Sequence, residues 1–466
     1  MKLAFCGGAK NVTGSNYLLE SGSEKILIDC GLYQGDNPSE RLNYEPFPYD
    51  PKTIKAVLIT HAHIDHIGRL PKLYKDGFRG EIFSTPPTRD FSEELLLDSE
   101  HLLAREAEEK NLKPLYNLDD INKTMDLWKA VNYHQKFKIN GFLIEFFDAG
   151  HILGSSFIVV STAAPINRGE PRPSNGRGGK RIVFSGDLGN TPAPLVKDTE
   201  NIKEADYALI ESAYGGKIHE DVASRKDILE DTIEETIKAG GVLMIPAFAM
   251  ERTQELLFEL NELVENNRIP RVPIFIDSPL AIKVTSIYKK YSQDPNYFDQ
   301  EAIAALKKGD EIFNFPRLKL TLTTEESKEI NNVPAPKIII AGAGMSQGGR
   351  ILHHERRYLS DPKSTILFIG YQANGSLGRR ILEGVKTVKI FGEEIPVKCQ
   401  VKSISGYSAH ADQKRLLDWL RPMRLKLKKV FVVQGEEDQM APLVQKIKDE
   451  LAIEAIAPSL GEEFVL

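Results

Sequence analysis

Residues 60–66 read Thr-His-Ala-His-Ile-Asp-His, directly after the apolar run Ala56–Ile59. Three histidines and an aspartate thus fall within six positions. Imidazole and carboxylate are the side chains that hold zinc and similar divalent ions. A single histidine is most often structural; four ligand-type residues this close together are not. His61 and His63 leave one side of the loop two residues apart. Asp65 and His66 follow at once and reach toward a second ion. The stretch predicts a metal centre at the end of a buried strand, so the chain must fold in a way that gathers strand ends around it.

Other strand ends in the first 200 residues carry the same residue types. "ILIDCG" ends in Asp29, "DAGHILGS" carries His151 and "FSGDLG" carries Asp187. Alone, each could cap a turn or sit in a core; at successive strand ends they point to one site. Residues 88–135 read as a long charged helical region. From about 206 to 390 apolar strands and amphipathic helices alternate, an α/β layout with a mainly parallel sheet. Residues 165–181 are rich in Pro, Gly and Arg and read as a surface loop, with a basic arm for phosphates as the sharper alternative.

A length of 466 residues argues for two or three domains. The formal net charge of -6 excludes a polycation, so nucleic-acid contact needs a local basic surface. Cys6, Cys30 and Cys399 cannot pair fully and no two stand at C-x-x-C spacing. They read as reduced thiols, consistent with a cytoplasmic protein. The first fifteen residues do not read as an export signal. No apolar run of about 18 residues predicts a membrane span.

H-x-H-x-D-H after an apolar strand, with Asp29 before it and His151 and Asp187 after it, resembles the signature of the metallo-β-lactamase superfamily. The resemblance implies an α/β fold built as an αββα sandwich. It implies two divalent metal ions, zinc foremost. Residues matching His61, His63 and His151 hold the first ion. Asp65, His66 and a further histidine hold the second, and Asp187 bridges both. Asp65 is also expected to act in catalysis, and Asp29 to support the ligands from behind.

The segments "IESAYGG", "IPAFAMERTQELL", "FIDSPLA", "AGAGMSQGGRILHH" and "GYQANGSLGRRIL" resemble the β-CASP insertion. That insertion marks the nucleic-acid-processing branch of the superfamily. The branch includes the endonuclease subunit of the polyadenylation machinery and the bacterial ribonuclease J group. The resemblance covers nearly the whole chain apart from residues 165–181. It implies a sandwich from 1–205 and 396–466, an inserted β-CASP α/β domain over 206–395, and a cleft between them for substrate. Glu211 in "IESAYG" and His410 in "SGYSAHAD" match the branch's own acidic and histidine motifs. Glu211 would orient His410 and raise its protonated fraction. His410 would then protonate the leaving 3′ oxygen while an activated hydroxide attacks phosphorus in line.

The chain departs from the pattern once. The branch places a histidine before Gly-Glu at the end of a late strand, and here "VFVVQGEED" holds Gln434. The chain has ten histidines and His410 is the last, so none can replace it. A glutamine offers a neutral amide oxygen, a poorer zinc ligand than imidazole. A weakened second ion site is the expectation.

The implied function is a metal-dependent ribonuclease, an endonuclease foremost, with 5′→3′ exonuclease activity as a further expectation, acting on single-stranded RNA. Two alternatives stay open: a weakly active or inactive RNA-binding protein of this fold, owing to Gln434, and a β-CASP DNA nuclease. Ser278, Gly344, Ser346, Ser376 and Arg379 lie at strand ends where amides, hydroxyls and a guanidinium can hold phosphates. Arg252 reads as a partner for a carboxylate. "HHE", residues 353–355, follows no metal spacing and reads as surface or interdomain packing. A homodimer is common among such proteins, but no segment reads as an interface.

Overall fold

The computed structural model describes every residue except 36, 163–178, 191, 220, 221, 308–310, 371, 373 and 374. The basic stretch 165–181 therefore lies largely outside the described residues. The chain forms two compact units. The first holds Met1–Thr191, Lys197–Ile218 and His410–Leu466; the second holds Pro192–Val196 and His219–Ala409.

Two seven-stranded sheets build the first unit. One runs in the order Glu463–Val465, Lys2–Gly7, Asn16–Ser21, Glu24–Ile28, Ala56–Leu58, Glu81–Ser84, Trp128–Ala130. The other runs Glu454–Ile456, Lys429–Val432, Tyr207–Ile210, Arg181–Phe184, Ser156–Thr162, Phe142–Asp148, Phe137–Ile139. Side chains alternate across a strand, and one set from each sheet meets in a shared core. Leu3, Phe5, Ile26, Ile28 and Leu58 pack there with Ile144, Ile158, Phe184 and Phe431. Residues of opposite parity on the first sheet, Leu18, Leu27, Val57 and Ile82, are buried as well. Burial on both faces explains why these strands read as continuous apolar runs. On the outer face of the second sheet, Val159, Val183 and Val430 pack against Leu416, Trp419 and Leu443 from helices Gln413–Leu420 and Glu437–Lys446. The layering is that of an αββα sandwich.

The region 88–135 differs from its sequence reading. Helix Pro86–Glu109 stops at Lys110, and a new helix, Leu118–Asp126, starts behind an Asn117/Asp120 capping box. Trp128–Ala130 then joins the first sheet as its edge strand. Three-residue strands such as this carry too few positions for alternation to show.

The second unit has a six-stranded, all-parallel sheet in the order Leu318–Leu320, Ile274–Asp277, Lys337–Ala341, Val242–Pro246, Thr365–Phe368, Gln400–Ser403. Strand Gln400–Ser403 pairs with Thr365–Phe368 in this sheet. The chain therefore returns to the first unit at His410 rather than at 396. Among the described residues no helix is long and apolar enough to cross a membrane.

Candidate metal centre

Each ligand-type side chain of the first unit leaves a loop fixed by backbone and hydroxyl hydrogen bonds. Asp29 follows strand Glu24–Ile28 with φ +57 and is fully buried. Its Oδ1 accepts from the Thr60 amide at 2.9 Å, and its Oδ2 accepts from Ser15 Oγ at 3.0 Å. Its Oδ2 also lies 2.7 Å from His66 Nδ1. A carboxylate only accepts, so His66 Nδ1 carries a proton directed at Asp29, and Nε2 is turned toward the site. Asp29 thus stands behind the ligand loop. Gly31 completes the loop's seat: a Cβ there would fall 1.5 Å from the Asp65 carbonyl oxygen.

His151 sits in the turn after Phe142–Asp148, where Gly150 takes φ +65. Ser155 Oγ accepts from the His151 amide at 3.1 Å and from the Ile152 amide at 3.2 Å. Asp187 follows Arg181–Phe184 across Gly186 at φ +53.

His61, His63, His151 and Asp187 converge. His61 Nε2 and His63 Nδ1 are 3.0 Å apart, and His151 Nε2 and His63 Nδ1 are 3.2 Å apart. Asp187 Oδ2 lies 3.4 Å from His61 Nε2 and 3.6 Å from His151 Nε2. A tetrahedral zinc with arms of about 2.05 Å has edges of about 3.3 Å. The four atoms therefore have the spacing of one tetrahedral ion. Burial holds the His61 imidazole well below its usual range, keeping it neutral with a lone pair for a metal. Burial pushes Asp187 upward, but His66, His61 and His410 outweigh it and keep the carboxyl well below its ordinary value.

Beside this set lies an acid–histidine pair. Glu211, fully buried after strand Tyr207–Ile210, accepts from the Leu188 amide at 2.6 Å. Its own amide donates to Ser185 Oγ at 3.0 Å. Glu211 Oε2 is 3.2 Å from His410 Nδ1, and Asp187 Oδ2 is 3.8 Å from the same nitrogen. Burial works to lower the His410 imidazole, but Glu211 and then Asp187 raise it to about 9. Both carboxylates face Nδ1, leaving Nε2 as the nitrogen able to hand over a proton.

The remaining residues of the pattern differ from the first four. His66 Nε2 lies 3.7 Å from Asp65 Oδ2 and 3.5 Å from Asp187 Oδ1. Gln434 follows strand Lys429–Val432 with φ +50. Its amide nitrogen, not its oxygen, faces the site, 3.0 Å from His66 Nε2 and 3.0 Å from Asp187 Oδ1. An N–H donor cannot be a metal ligand, so His66, Asp187 and Gln434 as they stand do not fit a second ion.

The phosphate-binding residues expected from the sequence all lie in the second unit, at the C-terminal ends of its parallel strands. Ser278 Oγ caps helix Pro279–Tyr291 through the Ala281 amide, and a Cβ on Gly342 would lie 3.3 Å from that oxygen. Gln372 Nε2 donates to the Gly344 carbonyl at 2.9 Å, and the Gly378 amide donates to Met345 O at 3.1 Å. Ser376 caps helix Leu377–Leu382. Three strand-end loops therefore adjoin there. Ser346 is committed to Glu355, and Arg379 Nε donates to Glu383 at 2.7 Å.

Sequence reasoning missed Asp277 and read the neighbouring "HHE" as packing. Asp277 is fully buried and accepts from Thr321 Oγ1, Ser327 Oγ, Arg350 Nη1 and His354 Nε2 at 2.7–2.8 Å. Burial raises its carboxyl, but these donors, His354 foremost, hold it at about 2. Arg252 pairs with Glu255, one turn on in its helix.

Three family models match the chain: a metallo-beta-lactamase superfamily domain over residues 18–165, a Beta-Casp domain over 253–381, and a Zn-dependent metallo-hydrolase RNA specificity domain over 394–458. A ribonuclease of Thermus thermophilus is 36% identical over 443 residues, covering 95% of this chain and 95% of that one. An RNase J-like protein of Methanocaldococcus jannaschii is 31% identical, with 98% of each chain covered. The transcription termination factor FttA of Methanosarcina mazei is 30% identical, covering 98% of this chain and 70% of its own. A crystal structure of a protein of unknown function from Enterococcus faecalis V583 shares the fold at a TM-score of 0.56 and 12% identity, covering 100% of this chain and 99% of that one. With the sandwich, the strand-end ligands and the inserted parallel sheet in place, the chain belongs to the β-CASP family of the metallo-β-lactamase superfamily.

Proposed function

We propose that this chain is a metal-dependent ribonuclease that cuts single-stranded RNA internally, with zinc as its ion. The carrying observation is the juxtaposition of the His61, His63, His151 and Asp187 tetrahedron with His410, whose Nδ1 faces Asp187 Oδ2 at 3.8 Å. Zinc held by those four residues would supply a Lewis acid and, on expanding to a fifth position, would activate a water at neutral pH. The protein's own groups do the rest. Glu211 accepts from His410 Nδ1 and fixes the ring. His410 keeps a proton and delivers it from Nε2 to the leaving 3′ oxygen, so the broken P–O bond ends as a hydroxyl. Asp29 locks the tautomer of His66 and seats the ligand loop. The reading takes Ser278, Gly344 and Ser376 as phosphate-contacting positions, since strand-end amides and hydroxyls favour anions. The three buried free thiols support a cytoplasmic setting.

A circular single-stranded RNA tests this directly, because it has no end for an exonuclease. The zinc-loaded protein is expected to linearise it and then shorten it, and chelation is expected to stop both. A circle left intact while linear RNA of the same sequence is degraded would refute internal cleavage.

A further inference from the structure

We propose that the Gln434 side chain takes the place of the second metal ion, so that this chain works with one ion where its family's pattern has two. The inference rests on the metal-centre reading above and deepens it.

The hydrogen-bond chemistry assigns the amide in one orientation. Asp187 Oδ1, as part of a carboxylate, can only accept, so the group 3.0 Å from it must be the amide NH2. His66 Nδ1 donates to Asp29, and His66 Nε2 lies 3.0 Å from the same amide nitrogen. Gln434 Oε1 is then free to accept from Tyr17 Oη at 3.4 Å. Turning the amide over would set its oxygen against the carboxylate and leave two acceptors facing each other.

The surroundings are built for this arrangement. Gln434 is 3% exposed, and its backbone is held in the left-handed region at φ +50. Its amide N–H donates to the Gly8 carbonyl at 2.7 Å. Gly8 itself takes φ +62, and a Cβ there would lie 2.6 Å from Tyr17 Oη and 3.3 Å from Gln434 Cγ. A side chain at position 8 would push Tyr17 and Gln434 apart.

A hydrogen-bonded proton lies about 2 Å from its acceptor, and a zinc ion lies about 2.0–2.1 Å from an imidazole nitrogen. The amide nitrogen, 3.0 Å from both His66 Nε2 and Asp187 Oδ1, thus stands in the space that an ion shared by those two atoms would need. Rotating the amide away would strand buried donors and offer in exchange a neutral oxygen, a weak ligand. The NH2 dipole offsets part of the Asp187 charge but carries no open coordination position. Asp65 is then released from ligand duty.

The test is metal stoichiometry. Full-length protein is loaded with excess zinc, stripped of unbound metal by gel filtration, and analysed for zinc per chain by plasma mass spectrometry. One ion is expected for the wild type and two for Gln434→His. Gln434→Glu is the second variant, since it replaces the N–H donor with a ligand oxygen of the same reach; two ions are expected there also. Circular dichroism identifies a variant that fails to fold, and the other then decides. Two ions in the wild type, or one in a folded variant, would overturn the proposal. No zinc in the wild type would instead overturn the metal-centre reading beneath it.

Discussion

His410 and Asp29 illustrate two ways in which one side chain can serve this centre. His410 faces Glu211 and Asp187 through Nδ1. Its replacement by Ala removes the proton donor but none of the four tetrahedral ligands. The expected result is a fall of about 10²–10⁴ in kcat for RNA, with zinc content unchanged. Asp29 touches no ion in the proposed scheme. Its carboxylate ties Thr60, Ser15 and His66 together, and outer partners of this kind are worth about 10–100-fold in metal affinity. Competition with a zinc chelator should show Asp29→Asn losing the ion at that much lower chelator concentration. An unchanged affinity would mean that the backbone alone holds the loop. Asp29 was legible because it ends an apolar strand with a polar side chain, and His410 because it stands in the motif "SGYSAHAD", both patterns that survive in one dimension. The orientation of the Gln434 amide was not. It depends on His66, Asp187, Tyr17 and Gly8 meeting across the fold, and no local pattern encodes that.

At the scale of elements, helix Ile351–Tyr358 in the second unit ties its own sheet together. His354 reaches Asp277 at the end of strand Ile274–Asp277, and Glu355 accepts from Ser346 in the loop after strand Lys337–Ala341. Burial pushes the Glu355 carboxyl from 4.5 up to about 8. A raised folded-state value means that the native protein binds the proton more tightly than the unfolded chain. The stability it lends is full below the unfolded value near 4.5, and it is lost as pH rises toward 8. Denaturant titrations of the wild type should show stability declining across that window, with a slope of at most about 1.4 kcal/mol per pH unit from this one proton. Glu355→Gln should flatten its share of the decline; an identical slope in the variant would contradict the assignment. The sequence concealed this cluster because "HHE" matches no metal spacing and Asp277 looks like an ordinary strand-end acid. Helix limits between 88 and 135 carried local marks: Asn111 at φ +53 and Pro114 follow the break at Lys110, and the Asn117/Asp120 box marks the restart.

Over the whole molecule, the chain order dictates how the centre is assembled. Its ligand-type residues come from the first 187 residues, while Glu211 lies before, and His410 and Gln434 after, the second unit's main segment. Parallel pairing of Tyr207–Ile210 with Lys429–Val432 brings the returning chain beside them. The sequence disclosed the sandwich and the insertion through recurrent motifs. It placed the return at 396, close to residue 394 where the RNA specificity domain match begins, while the compact first unit resumes at His410. Strand Gln400–Ser403 gives no sign on its own of which sheet it will join, and pairing with Thr365–Phe368 decides that.

The most direct test of the account is cleavage of a labelled single-stranded RNA and its DNA counterpart by the zinc-loaded wild type and by His63→Ala and His410→Ala. The account predicts internal cleavage of RNA in preference to DNA, with activity lost together with zinc in His63→Ala. In His410→Ala it predicts activity reduced by about 10²–10⁴ with zinc retained. Tight RNA binding without cleavage, or cleavage indifferent to both substitutions, would contradict it.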